Sequence, residues 1–346
     1  PYGTAVPLLD SAVLSAKNNG LILATFTDMQ VLCGNYTETC YYKYGSMPYK
    51  TSYCHEMAKR IALYTISTSA SKYKKAVVPL LSYNAEFYIR MLFMVKDSPE
   101  MCTENISKHG QVLQCRSCQY RKIIKYGQYE SKGEKKAKFR LKNFDGAPSR
   151  CPVCEGFMVL SGPYWFAPLH NEDFIKVLMS KLQTEEFEYL RYNKRIQAVL
   201  NGMLDESELS EEYFGYDYSK LCSDLNMGAP KFSVLNGGVT SLGYKLVQSY
   251  YDPNIFKVNC PSETVYDLLK YYKKEQSKGE NLFKNLKENT YRYNILKKDL
   301  PENFKPTFTE IDIGKTRAPR YFPNPFKNWG PKGRAKELKK DIEVDK

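Results

Sequence analysis

Two cysteine pairs constrain this chain more than any other feature: Cys115-Arg-Ser-Cys118 and Cys151-Pro-Val-Cys154, separated by thirty-two residues. Each C-x2-C turn presents two sulfurs to one ion, and two such turns complete the tetrahedral S4 shell that Zn2+ accepts and harder cations do not. Four thiolates leave no open coordination position, so Cys115, Cys118, Cys151 and Cys154 are expected to hold a structural rather than a catalytic zinc. A redox pair fits less well, because neither C-x2-C opens the first turn of a βαβ unit. Cys102 and His109 lie nearby but do not pair at ligand spacing.

The chain has 346 residues and is 42% hydrophobic, enough for a substantial core divided among two or three units. Its 51 Lys and Arg outnumber 38 Asp and Glu, giving a formal charge of +13. Such an excess favours a polyanionic partner, RNA or DNA, though membrane-surface or heparin-like partners satisfy the same charge. No run of eighteen apolar residues occurs, and the first residues carry no basic segment followed by an apolar one. The expectation is therefore a soluble intracellular protein without a membrane span, its ten cysteines reduced apart from one metal site. The 29 tyrosines are expected to serve mainly in packing, although Tyr beside Lys or Arg also suits base stacking.

The pattern from Pro1 to about residue 100 alternates helix and strand, as in an α/β unit. Thr4 is a candidate cap, Pro7 lies in the first turn, and Leu9, Val13 and Ala16 share one face. Asn18, Asn19 and Gly20 end that helix. The continuous apolar run Leu21 to Phe26 reads as a central strand covered on both faces, delivering Thr27 and Asp28 at its carboxyl end, the edge where open α/β sheets bind ligands. A helix is expected from Ser52, with Met57, Ile61 and Tyr64 on one face, and strands over Ala76 to Tyr83 and Phe87 to Val95. Asp28 reads as a solvated or capping residue. Cys33, Cys40 and Cys54 read as small buried thiols rather than nucleophiles, and His55 and His170 as satisfied structural histidines.

Residues 101–170 form the zinc-ribbon segment, interrupted from Tyr120 to Lys142 by an insertion with nine Lys/Arg and two Glu that reads as a mobile loop. Residues 171–272 read first as helices, with Phe174, Leu178 and Leu182 on one stripe and Phe187, Leu190, Ile196 and Leu200 on another. Helix, turn, helix, strand pair and helix follow. Leu221 and Leu225 anchor the first, and Phe232, Leu235, Val239 and Leu242 the second, closed by Gly243. A hairpin crosses Asp252-Pro253-Asn254, and Val265, Leu268 and Leu269 lie in the last helix. That order suits a winged-helix-like nucleic-acid module, and small helical adaptors share it. Residues 273–346 read as a basic, extended tail.

Several segments, in one order, resemble a known family. They are Thr27-Asp-Met-Gln-Val-Leu-Cys-Gly34, Cys40-Tyr-Tyr-Lys-Tyr-Gly45, Tyr53-Cys-His-Glu56, Pro79-Leu-Leu-Ser82 and Phe87-Tyr-Ile-Arg90. Gly162-Pro-Tyr-Trp165, Pro168-Leu-His-Asn-Glu-Asp173 and Pro323-Asn-Pro-Phe-Lys-Asn-Trp-Gly-Pro331 complete the series. The chain resembles the tRNA guanine-26 N2-dimethyltransferases, enzymes that carry methyl groups from S-adenosylmethionine to the exocyclic amine of a tRNA guanine.

The resemblance implies the carboxyl-terminal half of a class I, Rossmann-like methyltransferase sheet in residues 1–100, then a zinc ribbon and an α+β tRNA-binding domain. Pro1, Tyr2 and Gly3 match the last three positions of the family's catalytic Asp-Pro-Phe/Tyr-Gly motif. The aspartate would stand just before Pro1, and the family's main cofactor contacts earlier still. The chain thus resembles an amino-terminally truncated member, and by itself is expected to transfer little or no methyl. By the same resemblance Tyr2 would stack on the flipped guanine. Lys327, Trp329, Lys332 and Arg334 offer RNA contacts, although Trp329 also suits a strap packed on the body. The family implies a eukaryotic nuclear protein, with mitochondria as a second location. A non-catalytic, zinc-containing tRNA-binding protein is the alternative.

Overall fold

Thr4 sits one residue outside the cap position it was expected to fill: its Oγ1 accepts the Val6 N–H at 3.2 Å, while Ala5 occupies the cap. The computed structural model describes residues 3–312, apart from 86, 133–134, 144–145, 278–280 and 284–285. Helix α1 (Val6–Ser15) buries Leu9 and Val13 and leads into strand β1 (Gly20–Phe26). Two short helices follow, α2 (Met29–Leu32) and α3 (Thr37–Tyr44), the second closed by Gly45 at φ +66°. The long helix α4 (Cys54–Ser71) then runs beneath a sheet built with β2 (Lys75–Ala85) and β3 (Tyr88–Asp97). The strand order is β1-β3-β2, and both pairings are antiparallel.

The central-strand reading of Leu21 to Phe26 needs correction. Among the described residues β1 pairs with β3 alone, and Leu21 and Leu23 are each 59% exposed, whereas Ala24 and Phe26 are buried. The apolar run is uniform in sequence, but only the face carrying Phe26 joins the core shared with α1 and α4. That core holds Met57, Ile61 and Ile66 of α4, each fully buried side chain stabilising the fold by about 1.5–3 kcal/mol.

After α5 (Pro99–Thr103) and α6 (Asn105–Lys108) comes β4 (His109–Cys115). The basic insertion is not a loop: Arg121–Lys125 is β5, and Gly127–Lys132 and Lys135–Leu141 pair as the β6–β7 hairpin. The Tyr129 and Phe139 rings meet across that hairpin, tilted with centroids 5.4 Å apart, and Arg140 pairs with Glu130 at 3.1 Å, so cross-strand contacts order a segment whose lysines suggested solvation. Strand β8 (Met158–Trp165) completes a second sheet, β5-β4-β8.

The helical region opens with α7 (Glu172–Leu182), capped by Asn171 Oδ1 accepting the Phe174 N–H at 2.8 Å. A 3-10 turn over Glu185–Phe187 leads to α8 (Asn193–Ser207). Ile175 and Leu200 are buried, but Ile196 is exposed, so the second proposed stripe is only partly an inward face. Strand β9 (Tyr216–Asp217), α9 (Tyr218–Asp224), α10 (Phe232–Ser241), β10 (Leu246–Gln248), β11 (Ile255–Val258) and α11 (Ser262–Gln276) follow in the anticipated order, with β9 as an addition. Asp252 Oδ1 accepts the Asn254 N–H at 2.8 Å and shapes the hairpin turn.

The tail is also more structured than its composition suggested. Helix α12 (Tyr291–Lys297) places Ile295 and Leu296 in the second core, and residues 307–311 lie against α10. Ile311 N–H donates to Ser233 O at 3.1 Å, and a Cβ on Gly237 would collide with Thr309 O at 1.8 Å. Only glycine lets that strap approach so closely. Residues 313–346, with Lys327, Trp329, Lys332 and Arg334, lie outside the described residues.

Candidate functional site

The carboxyl end of β1 is tied to Gly3 by one bond to the Thr27 side chain and one between backbones. Gly3 N–H donates to Thr27 Oγ1 at 2.6 Å, and Thr27 N–H donates to Gly3 O at 2.9 Å, so the segment entering α1 is fixed at the edge where Thr27 and Asp28 emerge. Gly3 has φ +105° with open space around it, so the backbone conformation, not crowding, favours glycine. Pro1 and Tyr2 lie outside the described residues.

Asp28 is neither solvated nor a side-chain cap. Its Oδ1 accepts the Tyr44 hydroxyl at 2.7 Å, and Lys43 Nζ lies 3.6 Å from Oδ2, which places a screened carboxylate beside Gly3 and Thr27. Burial pushes the Tyr44 hydroxyl well above its ordinary range, so it serves Asp28 as a donor. Burial, with the Asp28 charge, likewise pushes the Cys40 thiol up to about 12, which suits packing and not nucleophilic attack. On the neighbouring helix α3, Tyr41 and Tyr42 are exposed, as is Tyr36 just before it. They are flat apolar faces beside the edge that the sequence pattern did not single out from the other tyrosines.

Cys33 and Cys54 depart from the buried-thiol reading: both are half-buried and cluster with His55. A hydrogen bond from Cys33 holds the Cys54 thiol below its usual range, and the same contact raises Cys33. His55 and His170 are not fully satisfied either. His55 Nδ1 and His170 Nε2 are buried without a hydrogen-bond partner among the described residues, and burial lowers both imidazoles' proton affinity. His109, by contrast, meets Ser67 Oγ through Nε2 at 2.8 Å and lies at the edge of the Tyr64 ring.

The four ribbon cysteines converge as their spacing implied. Cys115 Sγ lies 3.4 Å from Cys154 Sγ and Cys118 Sγ 3.5 Å from Cys151 Sγ, with all four sulfurs within 4.8 Å of one another and buried. A tetrahedron with Zn–S of about 2.3 Å has edges of about 3.8 Å, so the donor set fits that ion. The turns are already arranged for thiolates: Ser117 N–H and Cys118 N–H point at Cys115 Sγ at 3.3 and 3.5 Å, and Tyr120 N–H at Cys118 Sγ at 3.4 Å. Hydrogen bonds from Cys118, Cys151 and Cys154 hold Cys115 far below the ordinary thiol range. The cluster favours glycine at Gly156, because a Cβ there would stand 3.0 Å from Cys115 Sγ and 3.2 Å from Cys154 Sγ and press the sulfurs aside.

A profile of the N2,N2-dimethylguanosine tRNA methyltransferase family matches residues 1–270. The chain belongs to that family. Among its relatives, a tRNA (guanine(26)-N(2))-dimethyltransferase of Mus musculus is 32% identical over 340 residues, covering 97% of this chain and 50% of its own length. The Schizosaccharomyces pombe protein of the same name is 31% identical, covering 96% and 61%, and the mitochondrial one of Saccharomyces cerevisiae is 31% identical, covering 96% and 62%. The chain therefore spans about half to three fifths of the length of these relatives. A solved structure of Trm1 from Pyrococcus horikoshii in complex with S-adenosyl-L-methionine superposes with a TM-score of 0.59 over 78% of this chain and 64% of its own, at 22% identity. The fold is thus that mixed α/β architecture.

In this family member, a buried ionic cluster joins α4 to α8 and β11. Glu56 Oε1 accepts from Arg60 Nη2 at 2.7 Å, from Lys257 Nζ at 3.1 Å and from Phe214 N–H at 3.1 Å. Lys257 also lies 3.4 Å from Glu206 Oε2, and Arg60 Nη1 donates to Trp165 O at 2.8 Å. Lys59 Nζ donates to Tyr250 Oη at 2.6 Å, and burial pulls its pKa down to about 8. Glu56, Lys59 and Arg60 lie in the first two turns of α4, and the approach of β11 and α8, which bring Lys257 and Glu206, makes them interior.

The structure thus brings Gly3 to Thr27 and Asp28, and brings the four cysteines together. It does not bring the two sets to each other: the cysteines pack in the core containing Tyr216, Leu221 and Ile295, and Gly3 belongs to the edge of β1.

Proposed function

We propose that this chain is part of a tRNA guanine-26 N2-dimethyltransferase, which moves methyl groups from S-adenosylmethionine to the exocyclic amine of a tRNA guanine. The observation that carries the reading is Gly3 held to Thr27 at the carboxyl end of β1, because the tripeptide Pro1-Tyr2-Gly3 is the part of the chain that resembles the family's catalytic motif. In this reading residues 1–100 are the carboxyl-terminal half of a class I methyltransferase sheet. Residues 101–170 are the zinc ribbon, 171–272 the tRNA-binding region and 273–346 a basic tail whose Lys327, Trp329, Lys332 and Arg334 contact RNA.

Tyr2 stacks on an extruded guanine, Gly3 fixes its approach, and the screened carboxylate of Asp28 keeps the edge polar beside it. S-adenosylmethionine supplies the electrophilic methyl when bound. The zinc held by Cys115, Cys118, Cys151 and Cys154 takes no part in chemistry and ties the ribbon to the second core. Exposed Tyr36, Tyr41 and Tyr42 and the basic β6–β7 hairpin supply stacking and phosphate contacts, which accords with a net charge of +13. A nuclear or mitochondrial location follows from the same reading.

The test uses the longer protein of which this chain is read as a part, with radiolabelled S-adenosylmethionine and an unmodified tRNA transcript; the chain by itself is expected to transfer little or no label. Label is expected as N2,N2-dimethylguanosine at position 26 and is lost when that guanine is replaced by adenine. Salt-sensitive tRNA binding with no transfer, by a protein shown to bind the cofactor, would favour the non-catalytic zinc-containing RNA-binding protein instead.

A further inference from the structure

We propose that Cys33, Cys54 and His55 form a second metal site, distinct from the four-cysteine cluster, that takes a thiophilic divalent cation such as Zn2+ through two thiolates and one imidazole. The ligand atoms offered by the three side chains all lie within 4.8 Å of one another. Ligands around a tetrahedral zinc stand about 3.5–3.8 Å apart, so small side-chain rotations close the shell.

Three further features favour a metal over simple packing. His55 Nδ1 is buried with no hydrogen-bond partner among the described residues, and an unpartnered buried nitrogen costs about 1–3 kcal/mol unless something binds the side chain in compensation. A Cys33–Cys54 disulfide would use both sulfurs and leave the ring where it is; a metal engages all three groups. The donors also come from two separate elements. Cys33 caps the carboxyl end of α2, and Cys54 and His55 are the first two residues of α4, an eighteen-residue helix whose amino terminus favours a thiolate. An ion there pins both ends of the segment that carries α3, Tyr41 and Tyr42, and holds it beside Asp28.

The site differs in kind from the ribbon cluster. Two sulfurs and a nitrogen leave the fourth position for water or a carboxylate. Binding releases the thiol protons to solvent, one for each sulfur still protonated.

Zinc per chain is measured by mass spectrometry after purification under reducing, zinc-replete conditions. Two equivalents are expected in the intact chain, one in Cys33→Ser/Cys54→Ser and one in Cys115→Ser/Cys118→Ser. His55→Gln is expected to weaken the second equivalent at least tenfold and leave the first untouched. Should a variant misfold, maleimide labelling of the unaltered chain decides: zinc is expected to protect Cys33 and Cys54, and a chelator to expose them before the ribbon cysteines. A single equivalent with Cys33 and Cys54 labelled equally with and without zinc overturns the site, as does a Cys33–Cys54 disulfide that persists through purification under those reducing, zinc-replete conditions.

Discussion

The two large cores of this protein are held by different chemistry. The first gathers α1, α4 and the β1–β3–β2 sheet, and beside it a cluster of Glu56, Arg60, Lys257 and Glu206 draws on partners as far apart in sequence as 201 residues, with Glu56 Oε1 taking the hydrogen bonds and Oε2 buried without one among the described residues. The second gathers α9, α10, α11 and α12 around four cysteines that lie within forty positions of each other. Charges removed from water need several precise partners at once, whereas four thiolates need one ion. The first core thus rests on charge pairs made across the chain, whereas the second is anchored by a motif of two short turns, to which contacts such as Gln119 N–H to Tyr266 Oη join the rest.

The sharpest way to break that contrast is Cys115→Ser/Cys118→Ser. Zinc at the ribbon should be lost, and the core containing Tyr216, Leu221 and Ile295 should unfold while the first core keeps its own transition in calorimetry. Joint melting of both cores would mean that the ionic cluster transmits the damage. Next in size is Glu56→Ala, which takes the shared carboxylate from Arg60 and Lys257 and leaves the Phe214 N–H without its acceptor; it is expected to cost about 3–5 kcal/mol in denaturant unfolding, mostly in the first transition.

A smaller effect, with a pH signature, belongs to Asp224. Burial raises its carboxyl to about 6, against the hydroxyls of Tyr266 and Tyr291, each 3.2 Å away. A raised folded value means that the native state binds the proton more tightly. Its contribution to stability is therefore complete below about 4 and lost as pH rises through about 6. Asp224→Asn should stabilise the second core at pH 8 by about 1–3 kcal/mol and make no difference below pH 4. Smallest is the hairpin: Lys138→Ala and Lys142→Ala should each lower the salt slope of tRNA binding by about one, with melting unchanged.

Much of the second core was legible beforehand. The order of α9, α10, β10, β11 and α11 follows from apolar spacing, from Gly243 and from the Asp252-Pro253-Asn254 turn, because each of these acts within a few residues. The ribbon lysines misled, since composition records charge but not that Tyr129 meets Phe139 across a hairpin. Leu21 and Leu23 misled for a similar reason: a run of apolar residues says that a strand forms, not how many of its faces are covered.

By itself the sequence determined the zinc ligands to be expected, the family resemblance, an excess of positive charge and the order of the elements at the start of the chain and over residues 216–276, all carried by residue identity and short-range periodicity. The tertiary structure alone decided that Gly3 docks on Thr27, that Glu56 and Lys257 meet in the interior, and that Cys33 approaches Cys54 and His55. Those contacts join segments from 21 to 201 residues apart, and a pairing at that range depends on how whole elements pack, which no local pattern encodes.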